Sequence, residues 1–172
     1  MNVDNLCRWL AAASFALTTL SPTVVNADSG HCRRVDAEFM NTIVSGDCAS
    51  PVGLCKAGLV TGSGLLKGPN TFTASGLAAA AGLARIEPET LVSFAGERVI
   101  TTPRGTLTLH AVGVFDTAPT AAGEFSELEK VMGGTGRFAG ATGTLHLFGQ
   151  ATADGAGFHG AIIEEICRVE EP

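Results

Sequence analysis

Sustained helical periodicity is scarce in this chain. Few segments repeat apolar residues at a 3.6-residue spacing, and the 22 glycines are spread along its length. Bundles of helices, and parallel sheets that need crossover helices, are therefore disfavoured. Positive charge is also sparse: 11 basic residues face 17 acidic ones, and only Arg33 and Arg34 adjoin. Nucleic-acid binding depends on clustered Lys and Arg neutralising phosphates, so no nucleic-acid partner is expected. No apolar run reaches the roughly 20 residues that cross a bilayer. The histidines (His31, His110, His146, His159) show neither H-x-H nor H-x3-H spacing, and there is no G-x-S-x-G elbow. Neither a metal site nor a serine hydrolase is indicated, and no cofactor is expected.

The longest early apolar run, Trp9 to Leu20, follows Arg8, is broken by Ser21-Pro22, and leads to the small residues Val25-Asn26-Ala27. This order matches a removable export signal over residues 1–27. Asp4 makes its first segment less basic than usual, and a retained anchor is the alternative. Cleavage leaves 145 of the 172 residues, 28–172, enough for one domain with a single core. The product is expected to be secreted or periplasmic, with no membrane association after cleavage. Without Asp4 and Arg8, 16 acidic and 10 basic residues remain, so the net charge stays at −6.

Of the five cysteines, Cys7 leaves with the signal, and Cys32, Cys48, Cys55 and Cys167 form an even set in an oxidising compartment. Three pairings are open. The favoured one joins Cys48 to Cys55 across the short loop "CASPVGLC", and Cys32 to Cys167, tying the first residues to the last strand. A four-cysteine zinc site is the other option, but C-x6-C is not the usual knuckle spacing.

Strands account for the rest. "VDAEFMNTIV" (35–44) alternates Val35, Ala37, Phe39 and Ile43 with Asp36, Glu38 and Thr42. Similar segments are expected near 57–66, 70–76, 90–102, 105–116, 124–132, 142–152 and 157–169, with turn residues between them; "LAAAAGLA" (77–84) is the one stretch for a short helix, and Gly82, which interrupts it, leaves a loop as the alternative. About eight neighbouring strands point to an all-β fold, a closed antiparallel barrel. Closure removes exposed edges, and at eight strands the interior admits packed side chains or one small ligand.

The stretch "VMGGTGRFAGATGTLHLFG" (131–149) tests that reading. Gly134, Gly136 and Ala139 satisfy a dinucleotide-binding spacing, and Asp154 lies 20 residues past Gly134. A phosphate cradle, however, needs a strand before it and a helix after it. Here the poor helix formers Gly140, Thr142, Gly143 and Thr144 follow, and then a strand pattern, so the glycines are expected to shape a strand-to-strand turn, with Phe138 plugging one end of a barrel. "GGTGRFAGATGTL" resembles the glycine-rich signature GGTG-[RK]-F-x-G-A-x-G of the allene oxide cyclase and dirigent superfamily, at Gly133, Gly134, Thr135, Gly136, Arg137, Phe138, Gly140, Ala141 and Gly143. "TLTLHAVGVFD" (106–116) is a weaker echo. The resemblance implies an eight-stranded antiparallel barrel of an exported bacterial type. It does not fix a reaction, because the superfamily includes cyclases, proteins that guide radical coupling and members without a known role.

Strand alternation assigns inward faces. Leu107, Leu109, Ala111 and Phe115 form one, Leu145 and Leu147 another. Three strands place a polar group among inward residues: Asn41 with Phe39, Arg98 with Phe94, and Glu164 with Phe158, Ile162 and Ile166. As a candidate catalytic set, Arg98 would stabilise developing negative charge, Asn41 would add a hydrogen bond, and Glu164 would move a proton. Phe39, Phe94, Leu107, Leu109, Phe115, Leu145, Leu147 and Ile162 would wall the lumen. The competing account pairs Arg98 with Glu164 as a structural ion pair, or shifts a face by one residue. Glu127 and Glu129 share a strand face and read as solvated surface or an acid pair. Val112, Val114 and Phe148 fall outside, which suggests contact between copies of the chain, a homo-oligomer.

Two functions follow. The resemblance to cyclase barrels implies a cofactor-free cyclase or isomerase whose apolar cavity folds a small hydrophobic substrate for ring closure. The alternative is a non-catalytic exported barrel that binds an apolar small molecule or, dirigent-like, directs radical coupling. A filled barrel serving only as a scaffold is the third possibility.

Overall fold

The computed structural model of the chain describes residues 31–62, 64–79, 90–118 and 123–168. The expected export signal lies outside them. Eight strands follow in order: β1 (Arg33–Ile43), β2 (Cys55–Gly62), β3 (Gly68–Ala79), β4 (Leu91–Thr102), β5 (Gly105–Asp116), β6 (Glu124–Gly134), β7 (Thr142–Ala151) and β8 (Gly157–Cys167). Each pairs with the next, β1 pairs antiparallel with β8, and the sheet closes into a barrel.

Two boundaries differ from the sequence expectation. The strand expected over 57–66 ends at Gly62, and Leu66 leaves the ladder to bury itself fully in the core. At the other end, β3 continues through Leu77, Ala78 and Ala79, the first part of the proposed short helix. These residues pair with Phe94, Ser93 and Val92, so the neighbouring strand satisfies the backbone groups that a helix would have satisfied locally. The remainder of that segment, 80–84, lies outside the described residues.

The glycine-rich stretch turns the chain. After β6 comes one 3-10 turn, Gly136–Phe138, and β7 follows at Thr142 with no helix to receive a phosphate. Gly136 has φ +56°, and a Cβ there would stand 2.1 Å from the Arg104 carbonyl oxygen, so only glycine fits. The turn is fastened to the preceding hairpin: Arg137 N–H donates to the Arg104 carbonyl (3.0 Å) and Thr106 N–H to the Thr135 hydroxyl (3.0 Å). Phe138, fully buried, closes this end of the barrel.

Above Phe138 the lumen is filled. Ile100, Leu107, Leu109, Leu145, Leu147, Ile162 and Ile166 are all at 0% exposure, and each contributes about 1.5–3 kcal/mol by leaving water. Alternation carries through to the outside, where Val112 opposes Leu128, Val114 opposes Ser126, and Ser126 opposes Phe148, leaving Val112, Val114, Leu128 and Phe148 exposed. Both disulfides join the expected partners, Cys32 to Cys167 where the start of β1 meets the end of β8, and Cys48 to Cys55 at the opposite rim.

Candidate functional site

The middle of the barrel carries the charge. Six polar side chains point inward: Asn41 from β1, Lys56 from β2, Asn70 from β3, Arg98 from β4, and Glu127 and Glu129 from β6. Alternation puts Arg98 on the inner face with Phe94 and Ile100. On β5 the residues opposite Glu129 and Glu127 are the small Ala111 and Gly113, which leave the long Arg98 side chain a path to the acids of β6. Its Nε donates to Glu129 Oε1 (2.6 Å), Nη2 to Glu127 Oε2 (3.1 Å) and Nη1 to Asn70 Oδ1 (3.0 Å). Asn41 lies beside Asn70, and the orientation of its amide that suits its neighbours puts its oxygen on Arg98 Nη1 (3.1 Å) and its nitrogen on the Met40 carbonyl (3.0 Å). The guanidinium plane also lies within 5.5 Å of the Phe39 and Phe72 ring centres.

Burial works against the Arg98 charge, but Glu129 and Glu127 outweigh it and hold the group protonated. Glu129 is pushed up to about 7, first by burial and then by the Glu127 charge, with Arg98 opposing. Its Oε2 has no hydrogen-bond partner. Burial pulls the Lys56 amine down to about 8 against the attraction of Glu127. The lumen thus holds an acid and a base that both exchange protons near neutral pH.

The two shifts have opposite stability signatures. Glu129 titrates higher in the fold than its ordinary 4.5, so folding favours its protonated form; that stability is present below pH 4.5 and is lost as pH rises through 7. Lys56 titrates lower than its ordinary 10.5, so its cost is present below pH 8 and is relieved as pH rises toward 10.5. Urea titrations should therefore show the wild type losing up to about 3 kcal/mol relative to Glu129→Gln between pH 4.5 and 7. The wild type should regain a similar amount relative to Lys56→Met between pH 8 and 10.5. Parallel pH profiles for wild type and variants would refute the assignment.

Two of the three candidate catalytic residues, Arg98 and Asn41, meet in this cluster. Glu164 does not. It adopts φ +102°, which breaks the alternation of β8 and turns both Glu164 and Glu165 to solvent. The Arg98–Glu164 ion pair of the competing account is thereby replaced by Arg98 with Glu127 and Glu129, which the sequence left as solvated surface or an acid pair. Ile43, grouped with the inward residues of β1, is exposed near the rim.

The expected lumen residues divide into two groups. Leu107, Leu109, Leu145, Leu147 and Ile162 belong to the packed core, and Phe39 lies against Phe125 with ring centres 6.0 Å apart. Phe94 and Phe115 instead border a cavity of about 170 Å³ at the rim opposite Phe138, together with Leu54, Lys56, Leu77, Val92, Thr117, Phe125 and Phe158. Gly113 makes room for one wall, since a Cβ there would meet the Phe94 ring at 2.6 Å. Leu54 is placed by the Cys48–Cys55 loop, which Ser50 pins to β3 by donating to the Ala74 carbonyl (2.6 Å) while accepting from the Leu54 N–H (3.2 Å). Arg98 does not line this cavity; Lys56 does.

Among the described residues no group of three or more His, Cys, Asp or Glu side chains is placed to hold a metal ion. No helix among them is long and apolar enough to cross a membrane. Compared with known protein families and with curated proteins, the chain matches neither a family model nor any curated relative.

Proposed function

We propose that the protein is an exported barrel that binds one small apolar molecule in the phenylalanine-walled cavity. The observation that carries this reading is the cavity itself: its volume, about 170 Å³, and its lining of Leu54, Leu77, Val92, Phe94, Phe115, Phe125 and Phe158. An apolar protein cavity of roughly 150 Å³ accepts a benzene-sized guest. A ligand of that size gains affinity by leaving water, and orientation from the few polar groups at the wall, here Lys56 and Thr117. The two disulfides and the signal-like sequence of residues 1–27 support an extracellular or periplasmic setting.

Toluene and benzyl alcohol are suitable first probes. Either should raise the thermal midpoint of the purified protein in a concentration-dependent manner. Val92→Phe, which fills the cavity from β4, should weaken binding about tenfold or more while costing only about 1–3 kcal/mol of stability through overpacking. An unchanged midpoint for the wild type at saturating probe would refute the reading.

A second reading, catalysis of an isomerisation or cyclisation without a cofactor, draws on Glu129 at about 7 and Lys56 at about 8 inside the same lumen. The resemblance of "GGTGRFAGATGTL" to the allene oxide cyclase and dirigent signature supports it as well. In this version Arg98 and Asn41 position Glu129 from below, because all three guanidinium nitrogens already donate to protein acceptors. Mass spectrometry of small molecules retained by the native protein, before and after prolonged incubation, separates the readings: chemical conversion by protein alone indicates catalysis, and unchanged ligand indicates binding.

A further inference from the structure

Lys56 is the inward polar group that shares no hydrogen bond with the ion cluster. It lies on the inner face of β2 with Val60, opposite Phe72 of β3, and is only 7% exposed. Its Nζ stands 3.7 Å from the Phe158 ring centre, 5.2 Å from Phe72, 5.7 Å from Phe94 and 5.8 Å from Phe125. Phe94, Phe125 and Phe158 are also walls of the cavity, so the amine is held at the cavity surface by the rings that form it. Among the described residues no hydrogen bond or salt bridge joins this amine to a protein acceptor, whereas Arg98 is bound on every nitrogen. A stem that only filled space would be served better by methionine or leucine, because an unpaired buried amine costs stability.

We propose that the Lys56 amine condenses with the carbonyl group of a small apolar aldehyde or ketone seated in the cavity, forming a reversible imine. The proposal rests on the cavity holding an apolar ligand, and it adds the functional group that ligand carries. The nitrogen lone pair attacks the carbonyl carbon, a C–N bond forms, and the oxygen takes up a proton as nitrogen loses one. The carbinolamine hydroxyl then leaves as water after protonation, and the C=N bond forms; no electrons are gained or lost overall. The charged and titratable side chains facing Lys56 are Glu127, Glu129 and Arg98. Glu129, whose carboxyl acts electrostatically on Lys56, also titrates near neutral pH in the same lumen. Burial keeps an appreciable fraction of the Lys56 amine neutral and nucleophilic at pH 7–8. The remaining wall is apolar apart from Thr117, so few polar groups hold water beside the C=N bond. A free carboxylic acid is a poorer match, because the cavity offers its second oxygen no further cationic donor.

The test uses the three lysines of the chain, Lys56, Lys67 and Lys130, the last two exposed. Purified protein is incubated at pH 7.5 with benzaldehyde or hexanal, reduced with borohydride, and mapped by peptide mass spectrometry. One adduct should form at Lys56, about tenfold or more faster than at Lys67 or Lys130, because burial favours the neutral, nucleophilic form of the Lys56 amine. Toluene should compete with it, and Lys56→Met, shown to be folded by cooperative urea unfolding, should not form it. Equal labelling of all three lysines overturns the proposal. So does a wild type that binds toluene but yields no Lys56 adduct, an outcome that leaves the cavity reading intact. Failure of toluene binding in the wild type would overturn both.

Discussion

Arg98→Met is expected to destabilise the barrel by about 3–5 kcal/mol at pH 8, the cost of stranding buried carboxylates without their cation. Arg98, Glu127 and Glu129 are each about 1% exposed or less, so solvent cannot replace the lost partner. The charge on Arg98 is also what keeps Glu129 from titrating higher still, since burial and Glu127 both push that carboxyl upward. The deficit should consequently shrink as the pH falls toward 7, because without Arg98 the Glu129 carboxyl becomes neutral at a higher pH than in the wild type, and it should level off below 7, where Glu129 is neutral in both. Arg98→Lys should lie between, because an ammonium is a point charge and cannot fork to two carboxylates and the Asn70 amide at once. The triple replacement Arg98→Met, Glu127→Leu, Glu129→Leu should be about neutral, or more stable than wild type by up to roughly 4 kcal/mol, since an apolar filling carries no desolvation cost. Equilibrium urea unfolding at several pH values measures all of these. A loss for Arg98→Met below about 1 kcal/mol would place the cluster in contact with water, contrary to its burial.

The triple variant also separates structure from function. If toluene raises its midpoint as in the wild type, the cluster serves the barrel wall and the cavity suffices for binding. If proton transfer to a ligand is the purpose, binding should survive and conversion should stop. Retention of a costly buried ion cluster in a lumen that aliphatic side chains could fill is the strongest physical reason to look for chemistry there.

How much of this could be read from the sequence depended on whether one strand carried the signal alone. The inward placement of Arg98 followed from its parity with Phe94 and Ile100, and that of Asn41 from Phe39, because each strand has one clearly apolar face. In β6 both faces are comparably apolar, with Phe125 and Val131 on one side and Leu128 and Met132 on the other. The decision lies in the register: Glu129 opposes Ala111 and Leu145, and Glu127 opposes Gly113 and Leu147, all on the inner surface. An inward arginine needs a carboxylate, and that requirement was the available hint; parity alone directed it to Glu164, whose positive φ no alternation rule anticipates. Lys56 was missed because the strand was expected to begin near 57, whereas β2 begins at Cys55 and places Lys56 on one face with Val60. Side-chain parity is thus a local property, whereas the partner of a buried charge is set by strands distant in sequence.

Removing the Cys32–Cys167 bridge, as the double serine variant, is expected to cost about 5 kcal/mol, the chain-entropy value for a loop of that length. The bridge spans 135 residues, so it constrains most of the unfolded chain. In the native barrel it fastens the ends of β1 and β8, the pair whose register closes the sheet between Arg33–Ile166 and Thr42–Gly157. Closure is the entropically hardest step for this topology, because β1 and β8 are the strands most distant in sequence. The Cys48–Cys55 bridge, spanning 7 residues, should contribute roughly half as much to global stability. Its effect should appear locally instead: it shapes the loop that places Leu54 at the cavity, so its loss should weaken toluene binding more than it lowers the urea midpoint. Two double serine variants, measured side by side for urea unfolding and for ligand-dependent thermal shift, test this division. Equal global losses, or a larger loss for the short loop, would show that the closing seam between β1 and β8 holds without covalent help and that native-state strain or residual structure governs both bridges.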